Sequence, residues 1–344
     1  MKALVYLGAW DAVLREAAVP VIRKPQEVLV RIRASTICGT DLGIVSGLYG
    51  AKESVILGHE ASGDVCEVGL GVSGIAVGDR VAIDPTYYCG RCWMCANGSP
   101  NHCAQKTTTE TGVSSNGTFT DLYVTEDRFL YKLADHVSFQ ESCLTEPLSC
   151  VMTGTNQLKL RTNLDTVVIG GGPIGMLYCH SLGLRGLSGA VVETSEARLP
   201  LCAELLPPHW IACGSLQEAS EKLHTRTGDF DLIVDCCGVA AKESLGRLNR
   251  CGQLLLVGLR RHPVEFDPMR IADRSQRIVG SIDSIGTFSE SLQLIASGKI
   301  PAKRMISAEY PLEQFREAFG ILGCDIGSKK QTSTASAMKV VLSS

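Results

Sequence analysis

The sequence lacks any long apolar run. The longest candidate, residues 167–184, is interrupted by glycines and a proline, so it falls short of the ~18 consecutive apolar residues that a membrane span requires. The N-terminal segment also lacks the apolar stretch and small-residue cleavage site of a signal peptide. We therefore expect a cytoplasmic protein that neither spans a membrane nor is secreted.

The sequence has no excess of basic residues. Its 33 Lys and Arg are outnumbered by 36 Asp and Glu, which gives a formal net charge of −3. Proteins that bind nucleic acids or anionic membranes usually carry the opposite balance. Neither is an expected partner. The remaining composition, 45% hydrophobic and 20% charged, is typical of a folded globular protein, and 344 residues suit about two domains.

Cysteine is abundant, with 15 residues, although the chain shows no export signal. Disulfide frameworks belong to secreted proteins, so free thiols in a reducing compartment fit better. Seven scattered cysteines are expected to be small buried hydrophobic residues: Cys66, Cys179, Cys202, Cys236, Cys237, Cys251 and Cys324.

The pattern of apolar residues changes along the chain. Residues 1–148 contain short β-type runs separated by Gly, Pro and Asp, whereas residues 149–280 alternate apolar strands with helix-length segments. The second pattern predicts an α/β fold with a doubly wound parallel sheet. Residues 281–344 are predicted to return to the first domain, because the apolar run 338–342 has no evident place in that sheet.

Four cysteines in one short segment form the most specific motif. Cys89, Cys92 and Cys95 are spaced by two residues, and Cys103 follows within the same lobe, about residues 86–106. Four thiolates suit tetrahedral Zn²⁺, and a site closed by four cysteines is structural. An iron–sulfur or redox site is the alternative, but no companion cluster motif supports it.

A second candidate metal site is divided among three segments. Cys38-Gly39-Thr40-Asp41 supplies a thiolate, Gly58-His59-Glu60 an imidazole and a carboxylate, and Glu146 another carboxylate. Three protein ligands with one exchangeable water compose a catalytic zinc site. The sequence leaves open whether Glu60 or Glu146 is the acidic ligand.

A dinucleotide-binding motif follows the predicted strand 166–169. It reads Gly170-x-Gly172-x-x-Gly175, with Pro173 and Ile174 between the last two glycines. Such glycines let the backbone approach a pyrophosphate at a helix N-terminus. Glu193, which ends the next predicted strand, would accept hydrogen bonds from ribose hydroxyls, which favours NAD over NADP, although the nearby Arg198 leaves NADP open.

These motifs together resemble the zinc-containing medium-chain dehydrogenases, the family of alcohol, sorbitol and threonine dehydrogenases. The segment Gly58-His59-Glu60-x-x-Gly63 continues to Gly69 and is similar to the family's zinc signature. The resemblance covers essentially the whole chain. It implies a GroES-like β domain and a Rossmann domain, a homodimer or homotetramer, and Cys38 and His59 as catalytic zinc ligands.

Two further positions bear on the branch of the family. Glu146 lies where simple alcohol dehydrogenases have a second ligand cysteine, and an acid there resembles the polyol branch. Gly43 lies where many relatives have a His that relays a proton, so a different route is expected, beginning at Thr40.

The segment 281–284 resembles the family's segment near the nicotinamide. Ile282 and Asp283 are therefore expected near the cofactor, as are Val257, Gly258 and Leu259. Asp283 lies where sorbitol dehydrogenases place an Arg, which suggests an amino-group substrate as a hypothesis.

The expected activity is hydride transfer between a secondary alcohol, of a polyol, sugar or cyclitol, and NAD, with one catalytic and one structural zinc per chain. A threonine-type amino-alcohol dehydrogenase and an amino-sugar or aminocyclitol dehydrogenase are alternatives. A non-catalytic NAD-binding protein is the alternative of another class, because a fold alone does not establish catalysis.

Overall fold

The computed structural model describes residues 1–260, 263–332 and 335–343. The chain divides into two compact units: Met1–Ser149 with Ser284–Ser344, and Cys150–Asp283. Within the described ranges, no helix combines the length and apolar character that a membrane span requires.

The strands are β1 (Lys2–Gly8), β2 (Asp11–Glu16), β3 (Glu27–Thr36), β4 (Glu60–Val68), β5 (Arg80–Ile83), β6 (Leu122–Glu126), β7 (Leu130–Lys132), β8 (Thr166–Ile169), β9 (Gly189–Val192), β10 (Trp210–Cys213), β11 (Phe230–Asp235), β12 (Leu248–Leu256), β13 (Arg277–Gly280), β14 (Ile306–Pro311), β15 (Cys324–Asp325), β16 (Lys330–Gln331) and β17 (Lys339–Ser343).

The α-helices are α1 (Gly39–Val45), α2 (Trp93–Ala96), α3 (Lys106–Thr109), α4 (Phe139–Ser142), α5 (Thr145–Asn156), α6 (Pro173–Leu184), α7 (Leu199–Leu205), α8 (Leu216–Lys222), α9 (Ala241–Gly246), α10 (Pro268–Asp273), α11 (Phe288–Ala296), α12 (Ala302–Met305) and α13 (Phe315–Ile321).

The first unit is built on a mixed sheet that is antiparallel except for the pairing of β14 with β17. Its strand order is β14-β17-β3-β4-β5-β7, with β6 also paired to β3. Along β3, Val28, Val30 and Ile32 are buried while Arg31 and Arg33 are exposed, because successive side chains of a strand point to opposite faces. The buried side chains of β3 pack with those of β4 and β5 in one hydrophobic cluster.

The last strand of the chain lies inside this sheet. β17 pairs antiparallel with β3, where Val341 lies opposite Thr36, and parallel with β14. Its first four residues are buried, so they require neighbours on both faces of the sheet. Residues from both ends of the chain therefore build the core of this unit.

The second unit is a parallel sheet with the strand order β10-β9-β8-β11-β12-β13. The central strand β8 is buried along its whole length, as expected where helices cover both faces. The predicted α/β doubly wound class is confirmed. From β8, the strands β9 and β10 follow toward one edge of the sheet, whereas β11, β12 and β13 follow toward the other edge. The strand order therefore reverses between β8 and β11. In such sheets ligands bind at the carboxyl ends of the strands beside the reversal.

Some details of the sequence interpretation differ from the structure. Cys179, Cys202 and Cys324 are buried, and Cys66, Cys236 and Cys237 are partly buried, but Cys251 is exposed. The prediction for Cys251 was wrong because β12 bends there, with a left-handed φ of 60° that turns the side chain to solvent.

Gly63→Ala is predicted to destabilise the first unit. A Cβ at position 63 of β4 would lie 2.0 Å from the Arg31 carbonyl oxygen of β3, so the two strands would have to separate. We expect a loss of about 1–3 kcal/mol in the free energy of unfolding, measured by urea denaturation.

Gly280→Ala is the matched control, because this glycine also lies in a strand and its added Cβ would meet nothing within 4 Å. Equal stability of the two variants would contradict the argument.

Candidate active site and metal centres

The four-cysteine lobe brings its thiols together. The sulfur atoms of Cys89, Cys92, Cys95 and Cys103 lie within 4.8 Å of one another, and Cys92 Sγ is 3.4 Å from Cys95 Sγ and 4.0 Å from Cys103 Sγ. Sulfur ligands of tetrahedral zinc, with bonds of ~2.3 Å, are separated by ~3.8 Å. The cluster therefore fits a zinc ion.

Backbone amides of the lobe favour the thiolate form of two of these cysteines, Cys89 and Cys92, by lowering their pKa values. The amide of Cys92 donates to Cys89 Sγ at 3.4 Å, and the amide of Ala104 donates to Cys92 Sγ at 3.5 Å. The Ala104 amide, followed by that of Cys95, lowers the pKa of Cys92 to about 6. Thiolates are the form that binds metal. Every cysteine of the chain is free, so no disulfide competes for these thiols.

The second candidate site lies at the ends of β3 and β4. Ligand atoms of Cys38, His59 and Glu60 lie within 4.8 Å of one another. Cys38 is the N-cap of α1, two residues after the end of β3, and Glu60 is the first residue of β4. Because Thr36 and Glu60 are opposed in the β3–β4 register, the antiparallel pairing places the two loops side by side. A thiolate, an imidazole and a carboxylate fit a catalytic zinc ion.

Asp41 holds the two loops of this site together. Its buried carboxylate accepts hydrogen bonds from the Cys38 amide at 2.9 Å and the Gly58 amide at 3.2 Å. It also lies 3.9 Å from His59 Nδ1. Burial would lower the pKa of His59, but Asp41 and Cys38 outweigh it and raise that pKa well above its ordinary value. Asp41 and Cys38 thus surround the imidazole with negative charge, an environment that favours positive charge at this position.

Glu60 is paired with a lysine from the far end of the chain. Lys339 Nζ, at the start of β17, lies 2.7 Å from Glu60 Oε1 and 2.5 Å from Oε2, and the Thr36 hydroxyl donates to Oε2. The side chains of Lys339 and Glu60 are 3% and 0% exposed. Burial would lower the pKa of Lys339, but Glu60 outweighs it and raises the pKa. Both oxygens of Glu60 are therefore engaged.

Glu146 lies outside the cluster of three but within its electrostatic range. It raises the pKa of both His59 and Lys339, more weakly than Asp41 raises that of His59 or Glu60 that of Lys339. It occupies the first turn of α5 and is partly buried. Thr40 is partly buried in the first turn of α1, two residues after Cys38.

The space beside Gly43 is filled by an aromatic ring. A Cβ at position 43 would lie 2.2 Å from Cε2 and 2.3 Å from Cδ2 of Tyr49. A histidine at this position of α1 would therefore require the Tyr49 ring to move. The absence of a relay histidine is matched by the packing around it.

The glycine-rich motif of the second unit forms the predicted turn between strand and helix. Gly170 has φ +98°, Gly172 is the N-cap of α6, and Pro173 opens that helix, followed by Ile174. A Cβ at Gly175 would lie 1.9 Å from the Gly170 carbonyl oxygen. No side chain fits at position 175, so the turn packs closely against the first residues of α6, and helix N-termini of this kind are where phosphate groups bind.

Glu193 is held at the end of β9 by three donors. Its Oε2 accepts from the Gly171 amide at 3.1 Å and from Arg198 Nη1 at 3.1 Å, and its Oε1 accepts from the Ser195 amide at 2.8 Å. The residue is 7% exposed. Arg198, which the sequence left as an NADP candidate, is thus an ion-pair partner of Glu193.

The other predicted cofactor contacts follow β12 and β13. Val257, Gly258 and Leu259 come directly after β12, and Ile282 and Asp283 lie in the segment after β13, which the Ser281 amide ties to the Leu256 carbonyl at 3.1 Å. Asp283 has a left-handed φ of 55°. Because the sheet is parallel, all these segments lie at the same edge as the Gly170 turn.

Sequence reasoning missed Lys339, Thr36 and Tyr49. A lysine that opens an otherwise apolar strand was a signal for Lys339, since a buried lysine needs an acidic partner. The identity of that partner was not readable from the sequence. Nothing in the sequence alone distinguished Thr36 or Tyr49.

Three comparisons place the chain among known proteins. Residues 24–135 match the family model "Alcohol dehydrogenase GroES-like domain". The chain is 31% identical to a sorbitol dehydrogenase of Bombyx mori over 93% of this chain and 94% of the relative. It is 29% identical to a probable D-xylulose reductase A of Aspergillus clavatus over 92% of each chain. An alcohol dehydrogenase structure from Escherichia coli CFT073, complexed with NADH, has a TM-score of 0.87 and 25% identity, covering 100% of this chain and 99% of the other.

Lys339→Met is predicted to destabilise the protein strongly. The substitution leaves the Glu60 carboxylate buried without its cation, and removal of one partner from a buried pair costs about 3–5 kcal/mol. The free energy of unfolding, measured by urea denaturation, should fall by that amount. The double variant Lys339→Met/Glu60→Gln should recover part of it, because both charges are then removed.

Lys2→Met serves as the control, because Lys2 also pairs with a glutamate, Glu313, but at side-chain exposures of 51% and 46%. Its effect should be small, as for other surface pairs. A similar loss in both single variants would show that burial of the pair is unimportant.

Proposed function

The chain belongs to the zinc-containing medium-chain dehydrogenase family, and we propose that it oxidises a secondary alcohol of a polyol, sugar or cyclitol with NAD as the hydride acceptor. The observation that carries this proposal is the convergence of Cys38, His59 and Glu60 within 4.8 Å. The four-cysteine cluster, which is closed by its own ligands, has the composition of a structural site.

Zinc bound at the Cys38 site would act as a Lewis acid toward an alcohol oxygen, and NAD would accept the hydride. The residues of the protein would position the metal ion, the alcohol and the cofactor. Cys38 and His59 would hold the ion, and either Glu60 or Glu146 would complete the ligand set. The contacts of Glu60 with Lys339 and Thr36 favour Glu146 as the exchangeable acid.

Thr40 is the proposed first carrier of the proton that leaves the substrate hydroxyl. Its Oγ1 would accept that proton while its own hydroxyl proton passes to water or to a ribose hydroxyl of the cofactor. The support is its place in the first turn of α1, two residues after Cys38. The filled space at Gly43 also argues against a route through that position.

The cofactor contacts are proposed at the carboxyl edge of the second sheet. The turn from Gly170 to Gly175 would bind the pyrophosphate, and Glu193 would accept hydrogen bonds from the hydroxyls of the adenosine ribose. The segments at Val257–Leu259 and at Ile282 and Asp283 would line the remaining part of NAD. The buried carboxylate of Glu193 would repel an added 2′-phosphate.

The polyol class is supported by two observations. Relatives that match more than nine-tenths of the chain are named sorbitol dehydrogenase and D-xylulose reductase, and Glu146 places an acid near His59. We further propose a cytoplasmic homodimer or homotetramer. The oligomeric state is testable by light scattering on the purified protein.

The function is tested by NADH formation at 340 nm with sorbitol, xylitol, inositols, amino sugars, threonine and simple alcohols, and by zinc analysis of the same sample. Turnover of polyols with about two zinc ions per chain is expected. Turnover confined to threonine or amino sugars would favour the amino-alcohol alternatives. NADH binding without turnover of any substrate would favour a non-catalytic protein.

Cys38→Ala and His59→Ala are each predicted to lower turnover by at least about 10³-fold, because several kcal/mol of transition-state stabilisation by the metal are lost. NADH binding should persist, and the zinc content should fall by about one ion per chain. The matched control is Cys66→Ala, at a partly buried cysteine of the same unit. Undiminished turnover in both site variants would exclude this site from catalysis.

Glu193→Ser is predicted to raise kcat/KM for NADP relative to NAD by about tenfold or more, equivalent to roughly 1.4 kcal/mol. The substitution removes the repelling carboxylate and releases Arg198 from its ion pair, so that the guanidinium is free to bind the 2′-phosphate. Steady-state kinetics with both cofactors measure the ratio. The exposed Glu196 provides the control variant Glu196→Ser, and an equal shift there would indicate a general charge effect.

A further inference from the structure

A buried carboxylate lies where the strand order of the second sheet reverses. Asp235 ends β11 and has an exposure of 0%. In the register of the sheet it lies between Ile169, the last residue of β8, and Leu256, the last residue of β12. A charged group in so buried a place requires hydrogen-bond donors.

One carboxylate oxygen of Asp235 accepts several hydrogen bonds from the loop that follows β11. Oδ1 accepts from the amides of Cys237 and Gly238, each at 2.9 Å, and from Cys237 Sγ at 3.0 Å. The other oxygen, Oδ2, is buried and has no hydrogen-bond partner in the described part of the chain. The restraint on the loop is therefore exerted through Oδ1.

The backbone of the same residue fixes the neighbouring loop. The Asp235 carbonyl oxygen accepts from the amides of Val257 and Gly258, each at 3.0 Å, and the next amide, that of Cys236, donates to the Ile169 carbonyl at 2.9 Å. Residues 235 and 236 thus tie together the segments that follow β8, β11 and β12.

These loops also touch each other through glycines. A Cβ at Gly258 would lie 2.1 Å from the Gly238 nitrogen, and a Cβ at Gly238, where φ is +74°, would lie 2.5 Å from the Gly258 carbonyl oxygen. The two backbones are in direct contact, with no room for a side chain. Any movement of the 236–238 loop would therefore move Gly258 as well.

The strand order indicates which half of a dinucleotide these loops face. The Gly170 turn follows β8, and Glu193 follows β9 on one side of β8, whereas β11 and β12 lie on the other side. If the pyrophosphate lies over the turn after β8 and the adenosine ribose lies at Glu193, the nicotinamide half extends over β11 and β12.

We propose that Asp235 is a positioning residue for the nicotinamide half of NAD, acting through the Cys237–Gly238 amides that its Oδ1 holds and the Gly258 backbone packed against them. This inference rests on the proposed function, because it assumes that the second unit binds NAD. It adds a residue that touches neither substrate nor metal but sets the surface on which the nicotinamide ribose and ring lie.

The test compares NADH with ADP, which lacks the nicotinamide and its ribose, in fluorescence and calorimetric titrations of the full-length, zinc-replete protein. Asp235→Ala leaves the two loop amides without their acceptor, and we expect its Kd for NADH to rise by about tenfold. Its Kd for ADP should change by less than about threefold, because the contacts of the adenosine half are intact. Asp235→Asn retains an acceptor at Oδ1 and should keep the wild-type ratio of the two constants.

The matched control is Asp231→Ala, at the opposite end of β11, where the carboxylate contacts Arg226 and Asn249. It should leave both constants unchanged. If Asp235→Ala does not fold, as judged by its circular dichroism melt, Gly238→Ala replaces it, since the added Cβ pushes the same loop against Gly258.

Unchanged NADH binding in a folded Asp235→Ala or Gly238→Ala protein would overturn the inference, and so would an equal weakening of NADH and ADP binding. These results differ from a failure of the proposed function, in which the wild-type protein itself would not bind NADH.

Discussion

The buried pair of Lys339 and Glu60 is the interaction on which the first unit depends. Two charges without access to water are tolerated only when each satisfies the other and further hydrogen bonds complete the set. Here the Thr36 hydroxyl provides one such bond. Because Thr36, Glu60 and Lys339 come from three adjacent strands of one sheet, the requirement to pair these charges fixes the last strand against β3 and places Glu60 beside Cys38 and His59.

The two candidate zinc sites of this unit differ in what their surroundings leave available. In the lobe, four thiols face one another and backbone amides approach several of their sulfurs, so four ligands are satisfied and no position is left for a substrate. Near Cys38 and His59 there are two candidate acidic ligands, Glu60 and Glu146, although one would complete the ligand set, and Lys339 partly neutralises Glu60. A second carboxylate beside the metal ligands would allow one acidic ligand to replace the other during turnover.

The second unit supplies a rigid edge rather than reactive groups. Its parallel strands end together. The carboxylates of Glu193 and Asp235 accept hydrogen bonds from backbone amides of the loops after β8, β9 and β11, and the backbone carbonyl of Asp235 accepts from the loop after β12. Carboxylates used in this way do not need to react. They convert flexible loops into a surface of defined shape, and the chemistry of hydride transfer belongs to the cofactor.

The sequence by itself determined the features that depend on local spacing. The four cysteines of the lobe and the Gly170–Gly175 turn were predicted because a few consecutive backbone angles fix their geometry, and the parallel sheet was predicted because strands buried on both faces must be apolar throughout. Tertiary structure alone decided the contacts between distant residues. The pairing of Glu60 with Lys339, 279 residues away, depends on strand order and register, and the ring of Tyr49 beside Gly43 depends on how the chain turns after α1. Exposure of Cys251 likewise follows from a bend in β12, because whether a small apolar side chain is buried depends on the direction of the backbone and on its neighbours.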